Sequence, residues 1–245
     1  MILAGGKCNE ALREATGVEL RADIPFGDRT MLDIVIEAVS SIGNPIVVGG
    51  NEGQHKNWCP AGNNFVESVA VGLDRVTTEN YLLATVDLPF LTGEAVEDFV
   101  SRCDLNAGLC YPIVDIAECN RQFPGMSRTV LKMREGTFTG GNLGLVKTEA
   151  MRRALPILEK AYAVRKSPLQ LANMVGFATL GRVAVGKVVP SLLTLAKLEE
   201  GVSRFLGMPV KAVATKYASI GTDIDTAPQY SAAVDLLKLQ NAPIS

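Results

Sequence analysis

Short apolar segments alternate with helical patterns over the first two-thirds of this 245-residue chain, and this alternation constrains the fold more than any other feature. Strands are predicted at residues 1–4, 45–48, 81–86, 107–114 and 143–146. Apolar residues at helical spacing predict helices over residues 32–41, 64–76, 94–102, 148–162, 168–175 and 227–239. Strands that alternate with helices are typical of a mainly parallel sheet.

The expected architecture is therefore an α/β fold in which a mainly parallel, twisted sheet is sandwiched by helices, as in Rossmann-like proteins. The length suits a single domain over residues 1–245, with a helical elaboration at about 148–200 inserted after residue 147. The more polar residues 115–136 predict an excursion from the sheet. The first strand is very short, so either it begins at the terminus or residues precede it in the natural protein.

Composition excludes several classes of function. The 24 Lys and Arg residues against 26 Asp and Glu give a net charge of −2, so no general attraction to nucleic acid is expected. The single histidine, His55, argues against histidine-rich metal sites. Five cysteines without a CxxC pair, and no visible signal peptide, are typical of a protein of the reduced cytoplasm. The apolar stretch 175–195 is interrupted by Arg182, Lys187 and Pro190, which favours buried core over a membrane span.

A glycine pair follows the first strand, in the segment Leu3-Ala4-Gly5-Gly6-Lys7. Glycines let backbone amides approach a phosphate chain closely, and the nearby cations Lys7, Arg13 and Arg21 would neutralise its charge. The segment is neither a P-loop nor a GxGxxG fingerprint. An ordinary turn between a strand and a helix would also explain the two glycines.

Carboxylates follow the most apolar strand and recur late in the chain. Asp87 comes directly after residues 81–86, at the end of a strand where open α/β sheets bind ligands. The segment Asp223-Ile224-Asp225 could supply further oxygen ligands, and Mg²⁺ prefers one or two carboxylates completed by phosphates and water. The alternative is structural in both cases, because Asp87 could cap a turn, and Asp225 or Thr226 could cap the helix that follows.

Taken together and in this order, these segments resemble the MobA-like NTP transferase family, whose members have a GT-A-like fold. Its relatives include synthases of molybdopterin dinucleotides, sugar-phosphate nucleotidyltransferases and the cytidylyltransferase of methylerythritol phosphate. The resemblance covers about residues 1–150 and 215–240. The segments that carry it are Leu3–Gly6, Arg21–Met31, Glu67–Leu73, Asp87–Phe90 and Asp223–Gln229.

The resemblance implies a role for each matching residue. The nucleotide-binding residues that it implies are Leu3, Ala4, Gly5, Gly6, Arg13, Asn64 and Ser68. The catalytic residues that it implies are Asp87, Lys7 and Arg21. Asp87 and Asp223 are the implied Mg²⁺ ligands, with Asp225 as the weaker candidate. Gly141 and Asn142 are implied to contact the acceptor. A plain turn into a strand is the alternative for Gly141-Asn142.

Four residues depart from the family pattern. Glu10 stands where the family has an arginine, Arg21 replaces a lysine, and Gln229-Tyr230 replaces an acidic pair. Arginine keeps the positive charge of lysine but presents it as a planar fork.

The implied activity is Mg²⁺-dependent transfer of a nucleotidyl group from an NTP, GTP or CTP, to a phosphorylated small molecule, with release of pyrophosphate. The expected partners are these two small molecules, without nucleic acid or a membrane span, and the oligomeric state stays open. Two alternatives are a GT-A glycosyltransferase that uses a nucleotide sugar and a nucleotide-binding protein that has lost catalysis.

Overall fold

A computed structural model describes residues 1–53, 55–165, 167 and 193–241 of the protein. The strands are β1 (Ile2–Leu3), β2 (Pro25–Phe26), β3 (Arg29–Thr30), β4 (Val47–Val48), β5 (Trp58–Cys59), β6 (Asn80–Thr85), β7 (Leu109–Asp115), β8 (Leu131–Met133), β9 (Gly136–Gly140), β10 (Leu143–Lys147) and β11 (Val210–Thr215). The α-helices are α1 (Glu10–Thr16), α2 (Met31–Ser40), α3 (Phe65–Leu73), α4 (Gly93–Arg102), α5 (Ile116–Gln122), α6 (Thr148–Ala163), α7 (Leu195–Leu206) and α8 (Ala227–Asn241).

Nine of these strands form one mixed, mostly parallel sheet, which confirms the predicted fold class. The order β5-β4-β1-β6 is parallel throughout, and β10 then lies antiparallel between β6 and β7. Strand β11 pairs parallel with β7 along its whole length. Strands β2 and β3 form a separate hairpin. The carboxyl ends of β1 and β6 therefore meet at the same edge of the sheet.

Helices cover both faces of the sheet, because the side chains of the central strands alternate between two apolar clusters. Ile2 and Val47 belong to a cluster with α2 and α4, whereas Leu3 and Val48 pack with α3 and α6. Since successive side chains of a strand point to opposite faces, burial on both faces requires apolar residues at consecutive positions. The short apolar runs of the sequence satisfy this requirement.

Strands β9 and β10 run along the same edge of β7. The opposite edge is taken by β11, which pairs with β7 from Leu109 to Val114. Strand β10 pairs with the beginning of β7 and β9 with its end, so the two behave as one interrupted strand.

A bulge causes the interruption between β9 and β10. Gly140 lies opposite Ile113 and Leu145 lies opposite Cys110, so five steps along one strand match three along the other. The two additional residues are accommodated around Gly141-Asn142. A bulge of this kind changes the direction of a side chain at the point where the pairing of the two strands is interrupted.

The predicted helices and strands are found at their expected places wherever the structure describes them. The polar segment 115–136 holds α5 and β8, and among the described strands β8 pairs only with β9, at the edge of the sheet. Helix α6 and the beginning of α7 fall within the residues predicted as a helical elaboration, about 148–200. The predicted helix 168–175 and most of the apolar stretch 175–195 lie outside the described residues. No helix in the described part of the chain is long and apolar enough to cross a membrane.

Candidate active site

The glycine pair lies in the loop between β1 and α1, where backbone segments pack closely. A Cβ on Gly5 would lie 2.5 Å from Cβ of Ala61, and a Cβ on Gly49 would lie 2.5 Å from Cα of Gly5. Gly49 also has a φ of +88°, a conformation that residues with a side chain rarely adopt. Gly5 and Gly49 are therefore required for the loop to sit against the end of β4.

Arg21 is held against this loop by its backbone. The amide of Arg21 donates a hydrogen bond of 2.9 Å to the carbonyl oxygen of Gly6, and Lys7 pairs with Leu20 as an isolated bridge. A Cβ on Gly6 would lie 3.4 Å from Cδ of Arg21, so the arginine side chain passes directly beside the glycine. The second glycine thus brings a guanidinium group to the loop.

Asp87 is buried two residues beyond the end of β6, and both of its carboxylate oxygens accept hydrogen bonds. Oδ2 accepts from Nη1 of Arg21 at 2.9 Å. Oδ1 accepts from the hydroxyl of Thr85 at 2.5 Å and from Nδ2 of Asn142 at 3.4 Å. Asn142 reaches the carboxylate because it stands in the bulge between β9 and β10.

The late segment brings two more carboxylates to Asp87. The amide of Ile224 donates to the carbonyl oxygen of Asp87 at 3.0 Å, and the Ile224 side chain is fully buried. The two aspartates on either side of it point toward Asp87, so that one oxygen from each of Asp87, Asp223 and Asp225 lies within 4.8 Å of the others. Nη1 of Arg21 also contacts Oδ1 of Asp225. The structure therefore brings together Asp87 and Asp223, as predicted, and includes Asp225 equally.

Three carboxylates around one guanidinium leave an excess of negative charge. Burial, followed by repulsion from Asp87 and Asp225, raises the pKa of Asp223 to about 6. Burial lowers the pKa of Arg21, but Asp225 and Asp87 more than offset this, so that its pKa is raised overall. These oxygen ligands and their uncompensated charge are the features of a divalent cation site.

A cavity of about 310 Å³ lies on one side of the carboxylates. The predicted residues that line it are Leu3, Gly5, Gly6, Arg21, Asn64, Ser68 and Asp87, and the remaining lining residues are Gly62, Asn63, Phe65, Thr85 and Val86. Within the described part of the chain, the buried Nε of Arg21 has no hydrogen-bond partner. As a lining residue, Arg21 thus places a positive charge beside the glycine loop and the cavity.

The wall opposite the glycine loop is the beginning of α3. Oδ1 of Asn64 caps this helix by accepting from the amides of Val66 and Glu67, and the hydroxyl of Ser68 accepts from the amide of Gly62 at 3.1 Å. Both predicted residues therefore shape the loop itself. Phe65 lines the cavity with a side chain that is 50% exposed.

A larger cavity, of about 1020 Å³, lies on the other side of the carboxylates. Asn142, Asp223 and Asp225 line it, together with Arg128. The guanidinium of Arg128 is partly buried and donates to the hydroxyl of Thr222 at 2.8 Å and to two carbonyl oxygens. The carboxylate cluster therefore stands between two cavities.

The remaining predicted residues lie around the site. Ala4 is fully buried beneath the loop, and Lys7 is exposed on it. Nη1 of Arg13 pairs with Oε1 of Glu19 at 3.1 Å on the surface. None of these three belongs to the described residues that line the smaller cavity. Gly141 packs closely, since a Cβ there would lie 2.5 Å from Cγ2 of Ile220.

Two residues of the site, Thr85 and Arg128, were not predicted from the sequence, and a third, Asp225, was given too little weight. Thr85 could have been inferred from its position two residues before Asp87, which places both side chains on one side of an extended chain. Asp225 was ranked below Asp223, although two aspartates that flank a buried residue share the same side. Arg128 had no recognisable signal, because its partner Thr222 is 94 residues away in the sequence.

The chain is similar to one family model and to several solved structures. The family model of the MobA-like NTP transferase domain matches residues 1–116, which contain the glycine loop, Arg21 and Asp87. No curated protein matches the chain. Among solved structures, a hypothetical transferase from Thermus thermophilus is 37% identical, with 91% of this chain and 95% of that chain covered and a TM-score of 0.81.

More distant structures share the fold. A nucleotidyl transferase from Methanothermobacter thermautotrophicus is 15% identical, with coverage of 98% and 97% of the two chains and a TM-score of 0.58. A 2-C-methyl-D-erythritol 4-phosphate cytidylyltransferase from Thermus thermophilus is 16% identical, with coverage of 97% and 98% and a TM-score of 0.52. The fold is therefore the GT-A-like fold of these enzymes. On the family match and the 37% identical relative, the chain belongs to the MobA-like NTP transferase family of nucleotidyltransferases.

Proposed function

We propose that the protein transfers a nucleotidyl group from an NTP to a phosphorylated small molecule and releases pyrophosphate. The observation that carries this proposal is the position of the carboxylate cluster between two cavities. Transfer between two substrates requires both to reach one charged centre from different directions. Asp87 lines the smaller cavity, whereas Asp223 lines the larger one.

The smaller cavity suits the nucleotide. Gly5 and Gly6 let phosphate oxygens approach the backbone, and Arg21, which lines the same cavity, supplies a positive charge beside them. The base would lie near the beginning of α3, where Phe65, Asn64 and Ser68 line the wall. Lys7 is exposed on the same loop and Arg13 follows in α1. Both cations would approach the phosphates from outside the cavity.

The carboxylate cluster fits a magnesium ion. Asp87, Asp223 and Asp225 carry three negative charges, and the guanidinium of Arg21 compensates one of them, which leaves the charge that a divalent cation would balance. Their donor atoms are all oxygen, as Mg²⁺ requires. When bound, the ion would withdraw charge from the phosphate oxygens during transfer.

The protein residues around the reaction would orient the substrates and stabilise charge. The acceptor oxygen attacks the α-phosphorus and the bond to the β-phosphate breaks, so negative charge accumulates on the departing pyrophosphate. Arg21 and Lys7 are the cations of the glycine loop that would stabilise this charge. Asn142 and Gly141 lie on the acceptor side, where the bulge directs Asn142 toward Asp87. Such chemistry depends on positioning and does not need a histidine.

A pyrophosphate-release assay tests the proposal. The four NTPs would be combined with Mg²⁺ and a panel of phosphorylated small molecules, for the wild-type protein and for Asp87→Asn. We expect one combination to release pyrophosphate and Asp87→Asn to lower this rate at least 100-fold, by analogy with the loss of one charge-stabilising group.

Asp235→Asn is the matched control, because Asp235 is exposed on α8 and pairs only with Lys238 in the described structure. Its rate should equal that of the wild type. Near wild-type release by Asp87→Asn would contradict the assignment of Asp87. Binding of an NTP by calorimetry without release for any acceptor would instead identify a nucleotide-binding protein that has lost catalysis.

A further inference from the structure

The larger cavity separates two apolar surfaces that face each other. On the sheet, the alternate residues Leu109, Tyr111 and Ile113 of β7 present one face. On α7, Leu195, Leu198 and Val202 are spaced by three and four residues and form one stripe. Both sets line the same cavity of about 1020 Å³.

The helix that forms one wall is held by hydrogen bonds at its beginning and near its middle. The amide of Leu195 donates to Oε2 of Glu135 at 3.2 Å, and the carbonyl oxygen of Leu193 accepts from the amide of Arg134 at 2.9 Å. Farther along α7, Oε1 of Glu199 accepts from the amide of Ala212 in β11 at 2.8 Å. These bonds tie the helix to the β8–β9 hairpin and to the edge of the sheet.

Because hydrogen bonds hold α7 in place, the space between α7 and β7 is a defined cavity. Apolar surfaces in a protein normally pack to the density of an organic crystal, with few voids larger than a water molecule. This cavity has instead the volume of a small-molecule binding site, and apolar side chains dominate its lining. An apolar ligand would remove these surfaces from water without any movement of the helix.

One end of the cavity is cationic. Arg128 donates only to neutral oxygens, namely the hydroxyl of Thr222 and the carbonyl groups of Met126 and Gly221. Among the described residues, no carboxylate lies within ion-pair distance of its guanidinium. Asp223 is near enough to interact with it electrostatically but forms no ion pair with it in the described structure. A partly buried cation that is not ion-paired is complementary to an anionic group of a ligand. Asp223 lines the same cavity, so this end adjoins the carboxylate cluster.

From this arrangement, and resting on the nucleotidyl transfer proposed above, we infer that the acceptor is an amphiphile, with its phosphate near Arg128 and an apolar hydrocarbon body between β7 and α7. An oxygen of this phosphate would form the new bond to the α-phosphorus while pyrophosphate leaves with the electrons of the broken bond. The product would be a hydrocarbon joined to a nucleoside through a diphosphate, which consists of the acceptor phosphate and the α-phosphate of the NTP.

A polyhydroxylated acceptor fits this cavity less well. Its hydroxyl groups would lose their hydrogen bonds to water against leucine, isoleucine and valine side chains, and a buried polar group without a partner is unfavourable. The inference therefore separates hydrocarbon phosphates from sugar phosphates as substrate classes.

Straight-chain alkyl phosphates from ethyl to decyl, used below their aggregation concentrations, test the inference. Binding is measured by calorimetry without nucleotide, and pyrophosphate release is measured with each NTP and Mg²⁺. We expect the dissociation constant to fall roughly fourfold for each added methylene group, as full burial of that group predicts. Glycerol 3-phosphate and glucose 1-phosphate serve as polar phosphates of comparable charge and should bind much more weakly than decyl phosphate.

Val130→Asp provides the site-specific test. Val130 lines the cavity with 40% of its surface exposed, and Ile42→Asp is the matched control because Ile42 is 41% exposed and does not line this cavity. Val130→Asp should lower the affinity for decyl phosphate at least tenfold. Its effect on glycerol 3-phosphate should be clearly smaller, because there the added charge acts on the phosphate alone, whereas Ile42→Asp should change neither affinity.

The two readouts distinguish the proposals. Chain-length-dependent binding that Val130→Asp abolishes, without pyrophosphate release for any acceptor, would support the apolar site and contradict the proposed transfer. Pyrophosphate release with sugar phosphates but no chain-length dependence would support transfer and overturn the apolar acceptor. Absence of alkyl phosphate binding at every chain length would also overturn the apolar acceptor.

Discussion

Replacing Asp223 by asparagine is expected to make the protein more stable while it removes a proposed metal ligand. The reason is the crowding of three carboxylates, because burial and the charges of Asp87 and Asp225 raise the pKa of Asp223 from 3.8 to about 6. A carboxyl group whose pKa is raised by folding binds its proton more tightly in the folded state. Its ionisation therefore opposes folding, and stability falls as the pH rises from about 4 to about 6.

The size of this effect follows from the shift. A change of about two pKa units corresponds to about 3 kcal/mol, since one unit is about 1.4 kcal/mol. Asparagine has nearly the same shape and carries no charge, so Asp223→Asn should raise the free energy of unfolding by at most about 3 kcal/mol above pH 7. The gain should shrink to about 1 kcal/mol at pH 4.5, where much of the Asp223 population is protonated in the folded state.

Urea unfolding at pH 8 and pH 4.5, without divalent cations, measures this difference. Asp235→Asn serves again as the control and should show no pH-dependent gain, because its side chain is 74% exposed. Addition of Mg²⁺ at pH 8 should stabilise the wild type more than Asp223→Asn, since a ligand that binds only the folded state adds to its stability. A variant that is less stable than the wild type at pH 8, or a gain that does not depend on pH, would refute the reasoning.

Two other substitutions test the packing of the site. Gly141→Ala should lower the free energy of unfolding by about 1–3 kcal/mol, because its Cβ would lie 2.5 Å from Cγ2 of Ile220. Thermal unfolding measures this, and an unchanged melting temperature would contradict the close packing. Phe65→Ala should raise the KM for the NTP roughly tenfold, as a stacked base contributes about 1–3 kcal/mol. Leu105→Ala is its control, with an exposed side chain outside both cavities, and equal KM values for the two variants would argue against stacking.

Much of the sheet could be predicted because its central strands are buried on both faces. Residues 81–86 had to be apolar at consecutive positions, and this run placed Asp87 at the end of a strand. Strand β11 was not predicted, because Val-Lys-Ala-Val-Ala-Thr combines two small residues and a lysine with few large apolar side chains. Its place is determined by pairing with β7, which is about one hundred residues earlier in the sequence.

The late motif shows how a departure from a family pattern can be structurally neutral. Gln229 stands where the family has an acidic residue, and its Oε1 accepts from the amides of Asp225 and Thr226 at 3.0 Å. The hydroxyl of Thr226 accepts in return from the amide of Gln229 at 3.4 Å, which completes a capping box at the start of α8. Glutamine accepts these bonds as well as glutamate does, so the turn that positions Asp225 is retained.

The bulge between β9 and β10 inserts two residues, and this even number limits which insertions and deletions the sheet can accept here. Side chains along a strand alternate with a period of two, so an offset of two leaves every residue of β10 on its original face of the sheet. An insertion or deletion of a single residue beside Gly141 would move every side chain of one strand to the opposite face of the sheet. Changes of loop length at this position are therefore expected to be tolerated in pairs, which would let the acceptor side of the site vary while the sheet beneath it stays the same.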